Sequence, residues 1–155
     1  MMTALDVFMG YGGREKRIED LEERIRRREA VATGGGVRAP DADGGRSGED
    51  ASMRLLDYVG NVEQLRAELQ AARKERDEDK ACAIYLTEML PETMGKLMSR
   101  VYLEKQPLKN AAKAMGYSAT HARRLLKEAE DICKGMQIVS WDRVHVPVLA
   151  IPDRR

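Results

Sequence analysis

Residues 107–126 read PLKNAAKAMGYSATHARRLL, and their pattern indicates the fold of the C-terminal part of the chain. Pro107 suits the first turn of a short helix, where a proline leaves no backbone N–H unsatisfied. Gly116 predicts the end of that helix, because glycine adopts the left-handed conformation at little cost. Ser118 is a favourable N-cap for a second helix. The stretch therefore predicts two helices joined by a tight turn, the second running from near Ser118 to Lys134.

The spacing of apolar residues indicates which sides of these two helices face a core. The inward sides carry small or apolar residues: Leu108, Ala111, Ala112, Met115, Ala122, Leu125, Leu126 and Ala129. A helix, a tight turn containing glycine and a second helix form the arrangement that sets a helix into the major groove of DNA. The outward residues are the expected DNA-binding surface: Lys109, Lys113, Ser118, Ala119, Thr120, His121, Arg123, Arg124 and Lys127.

The expected roles of these residues differ. Arginine can pair bidentately with guanine, and the adjacent Arg123 and Arg124 cannot both point at the same groove floor. We therefore expect one of them to read a base and the other to contact a phosphate. Lys109 and Lys113, on the outer side of the first helix, are better placed for phosphate contacts. His121 is open to two interpretations, a hydrogen bond to DNA or an ordinary surface histidine.

The distribution of charge favours the same surface, although the net charge is only +1. The segment from Pro91 to Met136 contains nine basic and five acidic residues. The segment from Arg14 to Lys80 contains fifteen basic and seventeen acidic residues. A local excess of basic residues is typical of the part of a protein that meets phosphate.

The N-terminal part is predicted to be helical. Residues 14–32 carry a narrow apolar stripe of Ile18, Leu21 and Ile25, which must pair with another helix to be stable in water. Residues 33–51 are rich in Gly, Asp and Arg and predict a flexible linker. Such a linker would let the first helix fold back on the next helix, or swap onto a second subunit.

A long helical arm is predicted over residues 52–90, with Ser52 as its cap. Its apolar positions follow three- and four-residue spacing: Leu55, Val59, Val62, Leu65, Leu69, Ala72, Ala83, Leu86 and Leu90. Residues 73–80 form a charged run that is polar on every side, which predicts a solvated stretch of helix or, as the lesser alternative, a docking surface. A third helix is expected from Pro91 to Leu103, because the residue before a proline disfavours the helical region.

Residues 137–155 are predicted to form an extended tail. Val144, Val146 and Val148 alternate in it, but Pro147 excludes a central strand position. Two arrangements are open for this tail. It would pack across the helices and bury Trp141, or it would dock on a partner by strand addition.

Several classes of protein are excluded by composition and motif. The chain has no apolar run that could span a bilayer and no signal-peptide core, so a cytoplasmic location without membrane partners is expected. Cys82 and Cys133 lie far apart without close ligand partners, which favours buried, reduced thiols over a metal site. There is neither a phosphate-binding glycine loop nor a histidine beside a nucleophile, so we expect no enzyme activity, cofactor or metal.

A set of short motifs runs through the C-terminal helices: Leu90-Pro91-Glu92, Val101-Tyr102-Leu103-Glu104, Ala111-Ala112, Met115-Gly116-Tyr117-Ser118, Ala122 and Leu125-Leu126. Together they resemble region 4 of bacterial sigma factors, over less than a third of the chain. The layout as a whole is similar to small phage-encoded regulators of the ArpU and RinA type, in which a helical part and a Gly-rich break precede such a module. No segment resembles the promoter-melting, core-binding region 2, so a complete sigma factor is excluded.

The expected fold class is all-α, with long N-terminal helices forming a coiled-coil-like hairpin or dimer arm before a three-helix sigma-region-4-like helix-turn-helix. The expected segments are residues 1–32, the linker 33–51, the arm 52–90, the helix-turn-helix domain 91–136 and the tail 137–155. The resemblance implies a regulator of phage or prophage late or packaging genes that binds double-stranded DNA at the host nucleoid. Its arm would form a homodimer or dock on RNA polymerase.

Two rival functions are compatible with the same sequence. A small terminase subunit also joins a helix-turn-helix to an oligomerising helical part, although such subunits usually carry the DNA-binding module first. A helical interaction protein would use the same two helices only to dock a protein partner. The mass in solution distinguishes a small terminase subunit, which forms large rings, from a dimeric regulator. A gel shift with DNA distinguishes a helical interaction protein, which does not bind DNA, from both.

Overall fold

The computed structural model describes residues 2–32 and 48–152, and the chain over these residues is mostly helical. Its elements are the helices α1 (Ala4–Ala32), α2 (Gly48–Glu88), α3 (Glu92–Met98), α4 (Leu108–Met115) and α5 (Ala119–Gly135), a π-helical segment (Ser99–Leu103) that continues α3, and the strands β1 (Gln137–Ser140) and β2 (Val148–Ala150). The mostly helical prediction is confirmed. The strands are an addition that the all-α prediction did not contain.

Two predicted helix boundaries are wrong. The first helix begins at Ala4 rather than at residue 14, and it continues through three glycines because one of its sides is buried. Burial of apolar side chains outweighs a helix cost of about 1 kcal/mol per glycine. The second helix begins at Gly48, so Ser52 lies inside it and the last four residues of the predicted linker are helical. The rest of that linker, residues 33–47, lies outside the described residues.

The chain divides into two compact units, Met1–Arg14 with Glu75–Arg155 and, separately, Glu15–Lys74. In the second unit the apolar stripe of Ile18, Leu21 and Ile25 is buried against α2. Its partners there are Leu65, Leu69 and Ala72. The first helix therefore folds back on the second helix of the same chain, which is one of the two arrangements that the sequence leaves open.

Ion pairs accompany this seam between α1 and α2. They join Arg17 to Glu68 at 3.7 Å and Arg73 to Glu22 at 3.1 Å, and a third joins Arg66 to Glu29. All of these side chains are largely exposed, and exposed pairs contribute about 0–1 kcal/mol each. The apolar seam is therefore the main source of stability in this unit.

The first unit has a core that combines both ends of the sequence. Its buried residues come from the start of α1, the end of α2 and the turn after it, α3, α5 and its C-cap, and β1: Ala4, Leu5, Val7, Phe8, Cys82, Ala83, Leu86, Leu90, Met98, Ala129, Cys133, Met136 and Ile138. Phe8 is 0% exposed, and its ring lies 5.7 Å from the ring of Tyr102. The N-terminal residues are thus part of the support for α5.

Backbone hydrogen bonds join the N-terminus to the end of α5. The Ala4 N–H donates to the Met136 carbonyl at 2.8 Å, and the Ile138 N–H donates to the Met2 carbonyl at 2.9 Å. An antiparallel bridge between Thr3 and Gln137 lies between these bonds. They fix the point at which α5 ends and β1 begins.

The charged run of α2 does not remain a purely solvated stretch. Asp79 is only 5% exposed and accepts hydrogen bonds from Arg14 and, at 2.8 Å, from Arg143. Arg143 also donates to Glu78 at 2.7 Å. The prediction of a solvated run is therefore wrong at these positions, because their arginine partners lie more than sixty residues away in sequence. Periodicity within one helix carries no signal of such partners.

The predicted extended tail forms a hairpin with itself. The strands β1 and β2 pair antiparallel, with Ile138 opposite Leu149, and an irregularity lies between Ile138 and Ser140. Trp141 is half-buried, its indole N–H donates to the His145 carbonyl at 3.1 Å, and the Arg143 guanidinium lies 4.7 Å from the centre of its ring. Pro147 lies before β2 and outside both strands, as its missing N–H requires.

The crossing of α3 and α2 depends on a glycine. A Cβ added to Gly95 would collide with the backbone carbonyl of Thr87, so α3 can approach α2 this closely only without a side chain. We expect Gly95→Ala to lower the free energy of unfolding by about 1–3 kcal/mol, as overpacked sites do. Gly10→Ala is the matched control, because nothing lies within 4 Å of a Cβ there and alanine favours a helix. Equal urea midpoints for the two variants would contradict the close approach.

Candidate nucleic-acid interface

The turn between α4 and α5 forms as its residue types dictate. Gly116 has φ 75° and ψ 24°, the left-handed conformation that the sequence predicts for it. The Tyr117 N–H donates to the Ala112 carbonyl at 2.9 Å, and the Gly116 N–H donates to the Lys113 carbonyl at 3.2 Å. These bonds satisfy the last carbonyls of α4 and reverse the chain within three residues.

Ser118 begins the second helix as its N-cap. Its Oγ accepts a hydrogen bond from the His121 N–H at 3.1 Å, so the predicted cap is confirmed. The α5 helix then runs from Ala119 to Gly135, within one residue of the predicted end at Lys134. A capped N-terminus holds the first turn of α5 in a defined position, and four of the predicted site residues lie in or next to that turn.

Small side chains let the helices of this region approach closely. Ala111 and Ala112 of α4 and Ala122 of α5 are buried, whereas Leu125 and Leu126 are half-buried. The α5 helix packs against both α3 and α4. Its buried side, predicted from spacing alone, is therefore confirmed at Ala122, and the opposite side is left for solvent.

All nine residues predicted to form the DNA-binding surface are exposed: Lys109, Lys113, Ser118, Ala119, Thr120, His121, Arg123, Arg124 and Lys127. The structure brings them onto two consecutive helices and the turn that joins them. Lys109 and Lys113 lie one turn apart on α4, and the other seven lie within the cap and first turns of α5.

The five cations of this surface have no carboxylate partner among the described residues. No ion pair within residues 2–31 and 61–152 includes Lys109, Lys113, Arg123, Arg124 or Lys127. By contrast, many arginines of α1 and α2, such as Arg17, Arg27 and Arg73, face glutamates. The cations of α4 and α5 are therefore available to an anion from outside the chain.

The acidic residues of α5 lie in its second half. Glu128 and Asp131 are exposed, and Glu130 accepts a hydrogen bond from the Tyr102 hydroxyl at 2.6 Å. Burial raises the pKa of Tyr102 above its ordinary value, and the bond to Glu130 raises it further. Tyr102 therefore stays protonated and keeps donating to Glu130 at neutral pH.

His121 contacts the turn that precedes its helix. Its ring meets the Tyr117 ring edge-on, with centroids 4.8 Å apart and planes at 81°. The ring is exposed on its other side. This contact fixes the orientation of His121 relative to the turn, which neither of the two interpretations from sequence foresaw.

Neither cysteine takes part in this surface. Cys82 and Cys133 are both buried and free, as predicted. Burial raises the pKa of each thiol to about 11, with Asp79 adding to the effect at Cys82 and Glu130 at Cys133. Both side chains are thus protonated, apolar parts of the core.

Sequence reasoning missed the residues that support α5 from the N-terminus. Ala4, Val7, Phe8 and Tyr11 are all buried, at positions i, i+3, i+4 and i+7. That spacing is the ordinary signal of one helix face, and it could have found them. Gly10, Gly12 and Gly13 follow or interrupt this spacing, and their low helix propensity weakens the signal.

Other kinds of site are not found in the part of the chain that the structure describes. No three metal-ligating side chains lie together there, and none of its helices is both long and apolar enough to cross a membrane. Comparisons of the chain with protein-family models, with curated proteins and with solved structures find no match. The function is therefore inferred from the residues of α4 and α5 themselves.

Proposed function

We propose that this protein is a sequence-specific DNA-binding transcriptional regulator, in which α4, the turn at Gly116 and α5 act as a helix-turn-helix. The observation that carries the proposal is the surface of five exposed cations, Lys109, Lys113, Arg123, Arg124 and Lys127, that have no acidic partner among the described residues. In such a module the second helix enters the major groove and the first crosses the backbone.

The chemistry of the surface suits a duplex. Ser118, Ala119 and Thr120 are short, so the N-terminal end of α5 can approach bases and phosphates closely. The free N–H groups of the first turn of a helix also favour an anion there. Arginines one turn further along can reach base edges, and Lys109 and Lys113 on α4 can reach the phosphate backbone.

The resemblance to region 4 of sigma factors supports a role in transcription, and the phage-encoded regulators of similar layout suggest late or packaging genes in a host cytoplasm. A homodimer would match paired half-sites. If the apolar stripe of the N-terminal helices formed it, Ile18, Leu21 and Ile25 would have to exchange partners between chains, because they are buried within one chain. RNA polymerase is the other proposed partner.

Salt dependence of binding tests the proposed phosphate contacts. We expect the affinity for duplex DNA to fall steeply as salt rises, and Lys109→Ala with Lys113→Ala to reduce the slope of log K against log salt by about 1–2 units. Fluorescence anisotropy of a labelled duplex at several salt concentrations measures both slopes.

The matched control replaces Lys74 and Lys80, two exposed lysines of α2, with alanine. It removes the same charge from outside the proposed surface and should leave the slope unchanged. Absence of duplex binding by the wild-type protein would overturn the proposed function. An equal loss of slope in both double variants would show that the cations act only through net charge.

A further inference from the structure

The orientation of α5 separates the two adjacent arginines. Ala122, Ala129 and Cys133 are each 0% exposed, and they define the side of α5 that faces the core. With about 100° of rotation per residue, Arg124 lies about 200° around the helix from Ala122, whereas Arg123 lies about 100° from it. Arg124 thus points away from the core, and Arg123 lies on one flank of the helix.

Two contacts show which neighbouring element each flank of α5 faces. On one flank the His121 ring meets Tyr117, which belongs to the turn after α4. On the other flank Glu130 accepts the Tyr102 hydroxyl of the π-helical segment. Each flank therefore faces a neighbouring element.

Arg123 lies on the same flank as Glu130, which is about 80° around the helix from Ala122. The outermost row of α5 is formed instead by Thr120, Arg124 and Lys127, whose side chains are all exposed. This row contains the short Thr120, which permits a close approach, and two cations. In a complex with DNA, this row would lie closest to the bases at the floor of the major groove.

The acidic residues limit how far along α5 a duplex can extend. Asp131 follows Lys127 in the outermost row, and Glu128 lies beside this row. Both carboxylates are exposed. Phosphates approaching this half of the helix would be repelled. Contact is thereby confined to the N-terminal half of α5, up to Lys127. Arg124 is the outermost side chain of this half that can donate two hydrogen bonds to one base.

We infer that Arg124 reads a guanine in the major groove, whereas Arg123 contacts a backbone phosphate beside it. The inference rests on the proposed function and assigns the specificity of its surface. Arginine donates bidentately to the O6 and N7 atoms of guanine, a contact that discriminates against other bases. A phosphate contact carries no sequence information directly.

The test begins with a random-sequence duplex pool, from which the wild-type protein selects its preferred duplex. Affinities of Arg124→Ala, Arg124→Lys and Arg123→Ala are then measured on that duplex, on versions with each G·C pair replaced in turn, and on an unrelated duplex. Both side chains replaced, Arg123 and Arg124, are exposed, and circular dichroism checks that each of the three variants keeps its fold.

We expect Arg124→Ala to lose about tenfold to a hundredfold in affinity for the selected duplex and to become indifferent to one G·C pair. Arg124→Lys should show the same indifference with an unchanged salt slope, since it keeps the charge but not the bidentate geometry. Arg123→Ala should weaken binding to selected and unrelated duplexes alike, keep every base preference and lower the salt slope by about 1 unit.

The two levels of the proposal fail in different ways. Indifference to a G·C pair in Arg123→Ala, or retention of every preference in Arg124→Ala, would overturn the assignment while leaving DNA binding intact. Failure of the wild-type protein to bind any duplex of the pool would overturn the proposed function, and the assignment with it.

Discussion

Replacing Arg123 and Arg124 together with alanine is expected to abolish the specific complex with DNA. Loss of one bidentate base contact and one phosphate contact corresponds to about a hundredfold to a thousandfold in affinity at moderate salt. Both side chains are exposed and have no ion-pair partner among the described residues, so their loss should leave the fold intact. A gel shift on the selected duplex, with unrelated duplex as competitor, measures the effect.

The chain offers a matched control for this double variant. Arg26 and Arg27 are also adjacent and exposed on a helix, but both pair with Glu23, at 3.1 Å and 3.0 Å. Replacing them with alanine removes the same two charges from the other unit. We expect it to leave the shift almost unchanged. Wild-type binding by the Arg123→Ala, Arg124→Ala variant would exclude this side of α5 as the DNA-binding surface.

Replacing Phe8 with alanine should cause the largest loss of stability, although Phe8 lies far from α5 in sequence. Its side chain is completely buried between the start of α1 and the core around Tyr102. Removing a buried phenylalanine typically costs about 3–5 kcal/mol of the free energy of unfolding. Urea unfolding followed through the fluorescence of Trp141, the one tryptophan of the chain, measures the change in this unit.

The neighbouring residue provides the control for Phe8. Met9 is 58% exposed, and Met9→Ala should change the free energy of unfolding by less than about 0.5 kcal/mol. Phe8→Leu keeps most of the buried volume and should lose less than Phe8→Ala, so a measurable variant remains if the alanine form does not fold. Equal effects at positions 8 and 9 would show that the start of α1 does not belong to the core that supports α5.

The predictable parts of this protein are those in which the local sequence determines the backbone. Gly116 and Ser118 were identified correctly because a left-handed turn and an N-cap depend only on residues within a few positions. The buried sides of α4 and α5 follow from spacing in the same way, and the exposure of the nine candidate residues follows from those two sides. Their binding to DNA stays a prediction.

The parts that sequence reasoning missed depend on residues distant in the chain. Asp79 is buried because Arg14 and Arg143 neutralise it, and no pattern within α2 points to either arginine. The hairpin was missed because β1 and β2 are short and neither shows the strand signal on its own. The helix start at Ala4 was missed because its stability comes from burial against α5 and α2, which outweighs the low helix propensity of its glycines.

Amide chemical-shift mapping shows directly whether DNA binds to the exposed side of α4 and α5. Isotope-labelled protein is titrated with the selected duplex, and the perturbed amides are assigned. We predict that the largest changes fall at Ser118 to Lys127 and at Lys109 to Lys113, with little change in residues 15–31. Perturbations confined to the hairpin of β1 and β2 or to the α1–α2 seam, or no perturbation at all, would contradict it.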